Sequence, residues 1–470
     1  MSEALRLLAP DPAGALWLGW LLAFILFGDF SRLTGPRNRA LLGLLMLSPL
    51  LARIFGFNDA VGSRLAAWVF TAVYVMTGTI AVWAAVLALR PTVAVWRPNL
   101  DHAALRALVA ALVVLNAVVV FGQPPDDAGY YTNLGAQRWM ETGTLPYGDP
   151  LLKGPDAPAY GAAATYGPVL YAAHVPFQLL LGATRNRPDL NPKGPSYVRP
   201  PVMATQLACF TFYVVGLVAL YAVVRRFADT SLALGAVALF ASSPYVLGLG
   251  GSREVITGLP FISHIAPSAV MLAALALVSR PTIAGSLLAI AAGILFFPVF
   301  VFPLWLGWMI AHRAGAVRFT AGFLATGVAI AAFVVLFTHA PPGTRAVSLF
   351  LESTLEHQEG VGPKAYGASQ FGFWGTHPNL AAFWQTPLFG GTSLFKPTFI
   401  VYAMLAIAAF FIPLARPRSI VQLAALTAML TAAVQLWKTH AAGSYVEWYY
   451  PFLIVALLLA GQDARSPARA

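Results

Sequence analysis

Long apolar runs separated by short, arginine-bearing polar stretches dominate the chain. They fall near residues 13–30, 40–56, 65–89, 104–122, 201–224, 231–248, 262–279, 317–338, 396–415, 419–437 and 446–461. Many are about 18 to 25 residues long, the length an α-helix needs to cross the hydrocarbon core of a bilayer. Between 284 and 311 a further apolar stretch is interrupted by Pro298 and Pro303. Proline removes a backbone donor and clashes with the preceding turn, so this stretch reads as one kinked span or a hairpin of two shorter helices. The pattern predicts an all-α polytopic membrane protein. A membrane β-barrel would instead alternate over segments of roughly ten residues.

Composition agrees, with 59% hydrophobic and 10% charged residues, which excludes an ordinary soluble domain. The net charge of +11 would suggest nucleic acid in a soluble protein, but here the basic residues cluster in short loops, as cytoplasmic loops do. Nucleic acid is therefore not an expected partner. The single cysteine, Cys209, lies in an apolar run, leaving no intrachain disulfide and no thiol metal cluster. The first run, Ala13 to Phe27, has no basic leader and reads as a retained helix rather than a signal peptide.

Basic-residue placement orders the topology. Arg32, Arg37, Arg39, Arg90, Arg97, Arg106, Arg225, Arg226, Arg280, His312, Arg313, Arg318, Arg416 and Arg418 fall on one side only if 284–311 is a hairpin. That arrangement has about thirteen crossings (eleven to thirteen), with the N-terminus outside. The stretches 123–200, 249–261 and 339–395, and the short turn 438–445, then face outward.

Unusual residues concentrate on that outer side. Asp126 and Asp127 follow the run ending at Gly122, in a protein with only 18 acidic residues among 470. Carboxylates at a membrane helix mouth are costly to desolvate and usually face water or a ligand. A helix-compatible stretch, Ala128 to Thr142, follows and carries Tyr130 and Tyr131; Gly143 ends it. A second apolar stretch, Tyr166 to Leu181, is short for a span and is expected to lie at the interface.

These residues resemble the first external loop of GT-C glycosyltransferases, such as protein O-mannosyltransferases and the lipid A aminoarabinose transferase. The resemblance rests on the acidic pair after an apolar helix, a tyrosine four positions on, Gly143, Pro146-Tyr147 and Tyr166-Gly167-Pro168, over roughly 118–182. Two departures stand out. Three spans precede the matching helix, which implies extra N-terminal helices or a variant arrangement, and Tyr-Gly-Pro stands where relatives often carry two prolines. The implied organisation is three N-terminal helices in 1–100, a catalytic core in 101–338 with external loop 123–200, an external loop at 339–395 and C-terminal helices in 396–470.

The resemblance implies transfer of a sugar, a mannose-like hexose or a pentose, from a polyprenyl-phosphate donor to an acceptor hydroxyl on a lipid, polysaccharide or protein. It also implies no cofactor or metal, a site on the external face, and a bacterial inner or plasma membrane. Asp126 matches the family's base and Asp127 would orient it or bind sugar. The bland alternative is an acidic pair capping the following helix. Glu254 is the candidate for a further acidic group, or else a surface partner of Arg253.

Arg253, His264, Lys438 and His440 are candidates for the donor phosphate, where negative charge develops. A lone histidine such as His264 is otherwise a hydrogen-bonded structural residue. Tyr130, Tyr131, Tyr166 and Tyr445 are candidates to line the substrate path, although Trp, Tyr and Lys also serve as interfacial anchors. The 339–395 loop, with Glu352, Glu356, His357, Glu359, Lys364 and His377, lacks zinc-protease spacing and would cover the cavity. The rival class is a transporter or lipid flippase, which would place ionisable groups near the midplane and carry internal repeats.

Overall fold

The computed structural model describes residues 12–46, 64–90, 96–123, 127–147, 166–182, 202–250, 255–351, 395–416, 419–437 and 445–463, with isolated positions at 125, 164, 353 and 354. The N-terminal helices are α1 (Pro12–Phe27), α2 (Pro36–Leu45), α3 (Arg64–Leu89) and α4 (His102–Gly122). Helices α5 (Asp127–Thr142) and α6 (Pro168–Leu180) follow, then α7 (Val202–Phe227), α8 (Thr230–Ala241) and the short α9 (Pro244–Leu247). Next come α10 (Ile262–Ala276), α11 (Pro281–Ile294), α12 (Phe302–Ala311), α13 (Ala316–Phe337) and α14 (Ala346–Leu351). The C-terminal helices are α15 (Phe395–Ala415), α16 (Ile420–Trp437) and α17 (Tyr450–Asp463). Among the described helices α4, α7 and α13 are long and apolar enough to cross a membrane, and several shorter apolar helices accompany them.

Local chemistry explains the boundaries. The Asp101 carboxylate accepts from the Ala104 amide at 2.8 Å and opens α4, and Asp229 does the same for α8 with Leu232 at 2.7 Å. Each satisfies an amide that has no partner within its own helix. The 284–311 stretch divides into two helices: α11 ends at an extended Leu295, a 3-10 turn spans Phe297–Val301, and α12 follows. Pro298 and Pro303 sit at the starts of these two elements, where a missing N–H is harmless.

One expectation needs correcting. The run read as one helix over 231–248 stops at Ala241, because Ser243 and Pro244 start a separate turn, α9. The described residues are overwhelmingly α-helical as expected, and β1 (Leu249–Gly250) pairs antiparallel with β2 (Val255–Thr257) only as a small local addition between α9 and α10. Glycine at 258, with φ +126, lets this hairpin turn into α10, since an added Cβ there would lie 2.7 Å from the Gly248 Cα.

Long-range hydrogen bonds define two ends of the bundle. At one end Arg37 donates to the Arg97 carbonyl at 2.6 Å, Arg226 to the Ser279 hydroxyl at 3.1 Å, and the Trp308 indole to the Ser419 carbonyl at 3.4 Å. Arginine-bearing loops thus meet there. At the other end Gln206 donates to the Gln123 carbonyl at 2.9 Å, the Gly167 amide to Ile294 at 3.2 Å, and the Trp448 indole to Ser263 at 3.0 Å. The α4, α7, α10 and α11 helices each run from one set of contacts to the other.

Burial follows the order expected of lipid-facing helices. The described part of α16 (420–435), and Tyr450 to Gly461 of α17, are buried throughout, forming the centre together with α8 and α10. On α13, by contrast, Val317, Val328 and Leu336 are widely exposed.

Candidate functional site

The acidic pair lies where α4 gives way to α5. Asp126 falls outside the described residues; Asp127 is the first residue of α5, with its side chain likewise outside them. What the structure describes is how their flanks are held. Gln206 on α7 donates to the carbonyls of Phe121 and Gln123, at 3.3 and 2.9 Å. Its neighbour Thr205 donates to the Gly129 carbonyl at 3.1 Å. The last turn of α4 and the first turn of α5 are therefore fixed to one turn of a single helix. One turn further along α7 the Cys209 thiol donates to the Leu259 carbonyl, just before α10. Helix α5 also packs directly on α10.

Helix α5 is polar yet buries Thr132, Asn133, Gln137 and Arg138. Its partner is α6, where Gln178 donates to the Asn133 carbonyl at 2.7 Å. Close approach of the two requires Gly135, since a Cβ there would lie 2.7 Å from the Tyr171 ring. Gly143, with φ +71, ends α5 in the left-handed conformation that favours glycine. The returning chain brings Tyr147 against Tyr171, with centroids 5.8 Å apart, and the Tyr147 hydroxyl donates to the Tyr166 carbonyl at 2.7 Å. Burial pushes both phenols well above their ordinary pKa, keeping them neutral.

The Tyr166-Gly167-Pro168 element has a packing reason of its own. A Cβ on residue 167 would collide with the Gly293 carbonyl at 2.1 Å, and Pro168 opens α6. Tyr130 and Tyr131 are half-buried neighbours on α5 with rings 5.4 Å apart, edge to face.

A second cluster sits at the start of α10. His264 Nδ1 lies 3.3 Å from Glu447 Oε2, and the two side chains are 4% and 0% exposed. The imidazole is flanked by Phe261 and Tyr445, at 4.8 and 4.5 Å between centroids. Tyr445 stacks on Trp448 at 4.1 Å, and Trp448 on Phe297 at 4.0 Å. Gln435, near the end of α16, donates to the Tyr445 carbonyl at 3.0 Å, which holds that end beside the 3-10 turn that leads into α17. A buried carboxylate is tolerated where a cation or hydrogen-bond donors match it, and the His264 imidazole stands within 3.3 Å of this one.

Of the expected site residues, the structure thus joins His264 to Tyr445, and Tyr166 to the α5–α6 unit through Tyr147. Arg253, Glu254, Lys438 and His440, and Glu352, Glu356, His357, Glu359, Lys364 and His377 of the 339–395 loop, lie outside the described residues. Glu447, Thr205, Gln206 and the buried Arg138 were not singled out in the sequence. Glu447 had a signal: it is the only acidic residue between Glu359 and Asp463. Thr205 and Gln206 had none, because short polar residues are unremarkable at a helix start. No family model, no curated protein and no solved structure matches this chain.

Proposed function

We propose that this chain is a polytopic membrane glycosyltransferase of the GT-C kind. It transfers a sugar from a polyprenyl-phosphate donor to an acceptor hydroxyl at the external face of a bacterial inner or plasma membrane. About thirteen spans carry it, with the arginine-bearing end cytoplasmic. The observation that supports this most is the double attachment of the acidic pair's flanks to Thr205 and Gln206. A general base is effective only when held within hydrogen-bond reach of the proton it takes. Thr205 and Gln206 restrain the backbone on either side of Asp126, as such a role requires.

In this reading Asp126 accepts the acceptor's hydroxyl proton while that oxygen bonds to the anomeric carbon. The bond from that carbon to the phosphate oxygen breaks, and the polyprenyl phosphate leaves with the electron pair. Asp127 orients the base or the sugar, and Glu254 supplies a further carboxylate. Arg253, Lys438 and His440 offset charge on the phosphate. His264 already has a carboxylate partner in Glu447, so it positions neighbouring groups more than it neutralises phosphate. Tyr130, Tyr131, Tyr166 and Tyr445 border the path of the sugar and lipid.

The test is transfer from a polyprenyl-phosphate sugar by purified protein in liposomes. Asp126→Asn, with unchanged thermal stability, is expected to lower the rate by about 10²- to 10⁴-fold. A folded variant with full activity would overturn the assignment of the base. Solute or lipid movement without any transfer by the wild-type protein would overturn the enzyme reading in favour of a transporter.

A further inference from the structure

Two stretches far apart in the chain meet at the arginine-bearing end of the bundle. Asn38, buried on α2, gathers the 28–35 turn: its Oδ1 accepts from the Asp29 amide at 2.7 Å, and its Nδ2 donates to the Arg32 and Leu33 carbonyls at 3.3 and 3.0 Å. Asn99, ahead of α4, donates to the Ile25 and Gly28 carbonyls at 3.2 and 2.8 Å. Arg37 closes the join across 60 residues of sequence. Its Nη2 donates to the Arg97 carbonyl at 2.6 Å and to Asn99 Oδ1 at 3.4 Å, and the guanidinium lies 5.6 Å from the centre of the Trp96 ring.

This fastening leaves cationic donors over. The half-buried Arg37 has no acceptor for Nη1 or Nε among the described residues. Arg32 and Arg97 are exposed and make no side-chain bond there, yet their carbonyls are held by Asn38 and Arg37. Two carboxylates lie in the same stretches, and both are engaged. Asp29 accepts from the Ser31 amide and hydroxyl at 3.1 and 2.6 Å, and Asp101 caps α4. No side chain caps the start of α2, where unpaired amides and the helix dipole also favour an anion. On either side of Arg32 the turn exposes two large apolar residues, Phe30 by 67% and Leu33 by 72%. Exposed hydrophobes beside unspent arginines suit a surface that offers hydrocarbon and negative charge together.

We propose that Arg32, Arg37 and Arg97 form a binding site for the phosphodiester headgroup of an anionic lipid in the adjoining leaflet, with Phe30 and Leu33 against its acyl chains. Arg37 is the fixed donor, and Arg32 and Arg97 close on the phosphate from the two stretches it joins. Guanidinium suits this ligand because its planar N–H groups match phosphate oxygens in pairs. The bound lipid pins the α1–α2 turn to the segment leading into α4. A general excess of arginine orients a membrane chain by charge count alone, whereas this site depends on three particular arginines brought together by tertiary bonds. Nothing in it depends on glycosyl transfer.

The test titrates the full, delipidated chain in detergent with phosphatidylglycerol or phosphatidylcholine and counts bound lipid by native mass spectrometry. The wild type is expected to bind phosphatidylglycerol several-fold more tightly than phosphatidylcholine. Arg32→Gln with Arg97→Gln is expected to abolish that preference at unchanged Tm, because neither side chain holds another part of the fold. Arg280→Gln with Arg318→Gln removes the same charge at the same end and is expected to leave the preference intact. Equal loss in the two double variants overturns the proposal, since charge alone would then explain binding. So does a wild type without preference. Inorganic phosphate is the third ligand: if it raises Tm as much as phosphatidylglycerol does, the site takes a free anion and the lipid assignment falls. Asp126→Asn is expected to bind the lipid as the wild type does, so this site and the transfer reading fail separately.

Discussion

At the scale of single residues, the His264–Glu447 pair carries the heaviest local demand. Both groups are buried and in contact, so removing His264 takes away one of the groups that hold the Glu447 carboxylate. His264→Ala is expected to destabilise the protein by about 1–3 kcal/mol, the range for taking one partner from a buried polar group. The double replacement, His264→Ala with Glu447→Leu, is expected to cost less than the sum of the singles. Denaturant titration in detergent measures this, and additive losses would mean that the 3.3 Å contact contributes no coupling.

His174 makes a different prediction, about pH. Burial holds its imidazole at a pKa of about 4, against an ordinary 6.5. As pH falls the unfolded chain binds this proton first, so stability is lost from about 6.5 downward and levels off below about 4. Replacing His174 with Gln is expected to flatten that part of the Tm profile. An unchanged slope would show that other groups set it.

At the scale of elements, the fold depends on helices meeting where no side chain intervenes. The α6–α11 junction is the sharpest case, because residue 167 faces the Gly293 backbone, which has no side chain to move aside. Gly167→Ala is expected to cost about 1–3 kcal/mol through forced separation of the two helices. Gly78→Ala on α3 is the natural contrast, with nothing within 4 Å of the added methyl. There the gain in helix preference is expected to make the change neutral or stabilising, by up to about 1 kcal/mol. Equal Tm shifts for the two would undo the packing argument. The same junction explains a local motif: Tyr166-Gly167-Pro168 places a backbone-sized residue at a crossing and a proline at a helix start, quite apart from any chemistry.

At the scale of the whole molecule, the two ends of the bundle differ in kind. One gathers the loops carrying Arg37, Arg97, Arg226 and Arg280, while the other holds α5, α6 and the His264 cluster. This division predicts labelling behaviour in sealed, oriented vesicles. Cysteines at Ser279 and Ser419 are expected to react from the same side, and one at Thr144 from the opposite side. Reaction of Ser279→Cys and Thr144→Cys from one side would break the arrangement.

Much of this organisation could be read from the chain. The apolar runs determine where helices form, because a segment of that length and composition has few other ways to satisfy its backbone out of water. Pro298 and Pro303 locate the break within 284–311, and Gly143 the end of α5. The short apolar stretch 166–181 reads as too short to span, and a crossing there would move Arg225 and Arg226 to the other side. Sequence could not pair residues distant along the chain. The meeting of His264 with Glu447, of Thr205 with Gly129, and of Gln178 with Asn133 was decided by the tertiary structure. In each case one partner is a backbone carbonyl or a residue ordinary in its local context. Only the packing of α7, α10 and α6 removes water around these groups and turns an unexceptional side chain into a required contact.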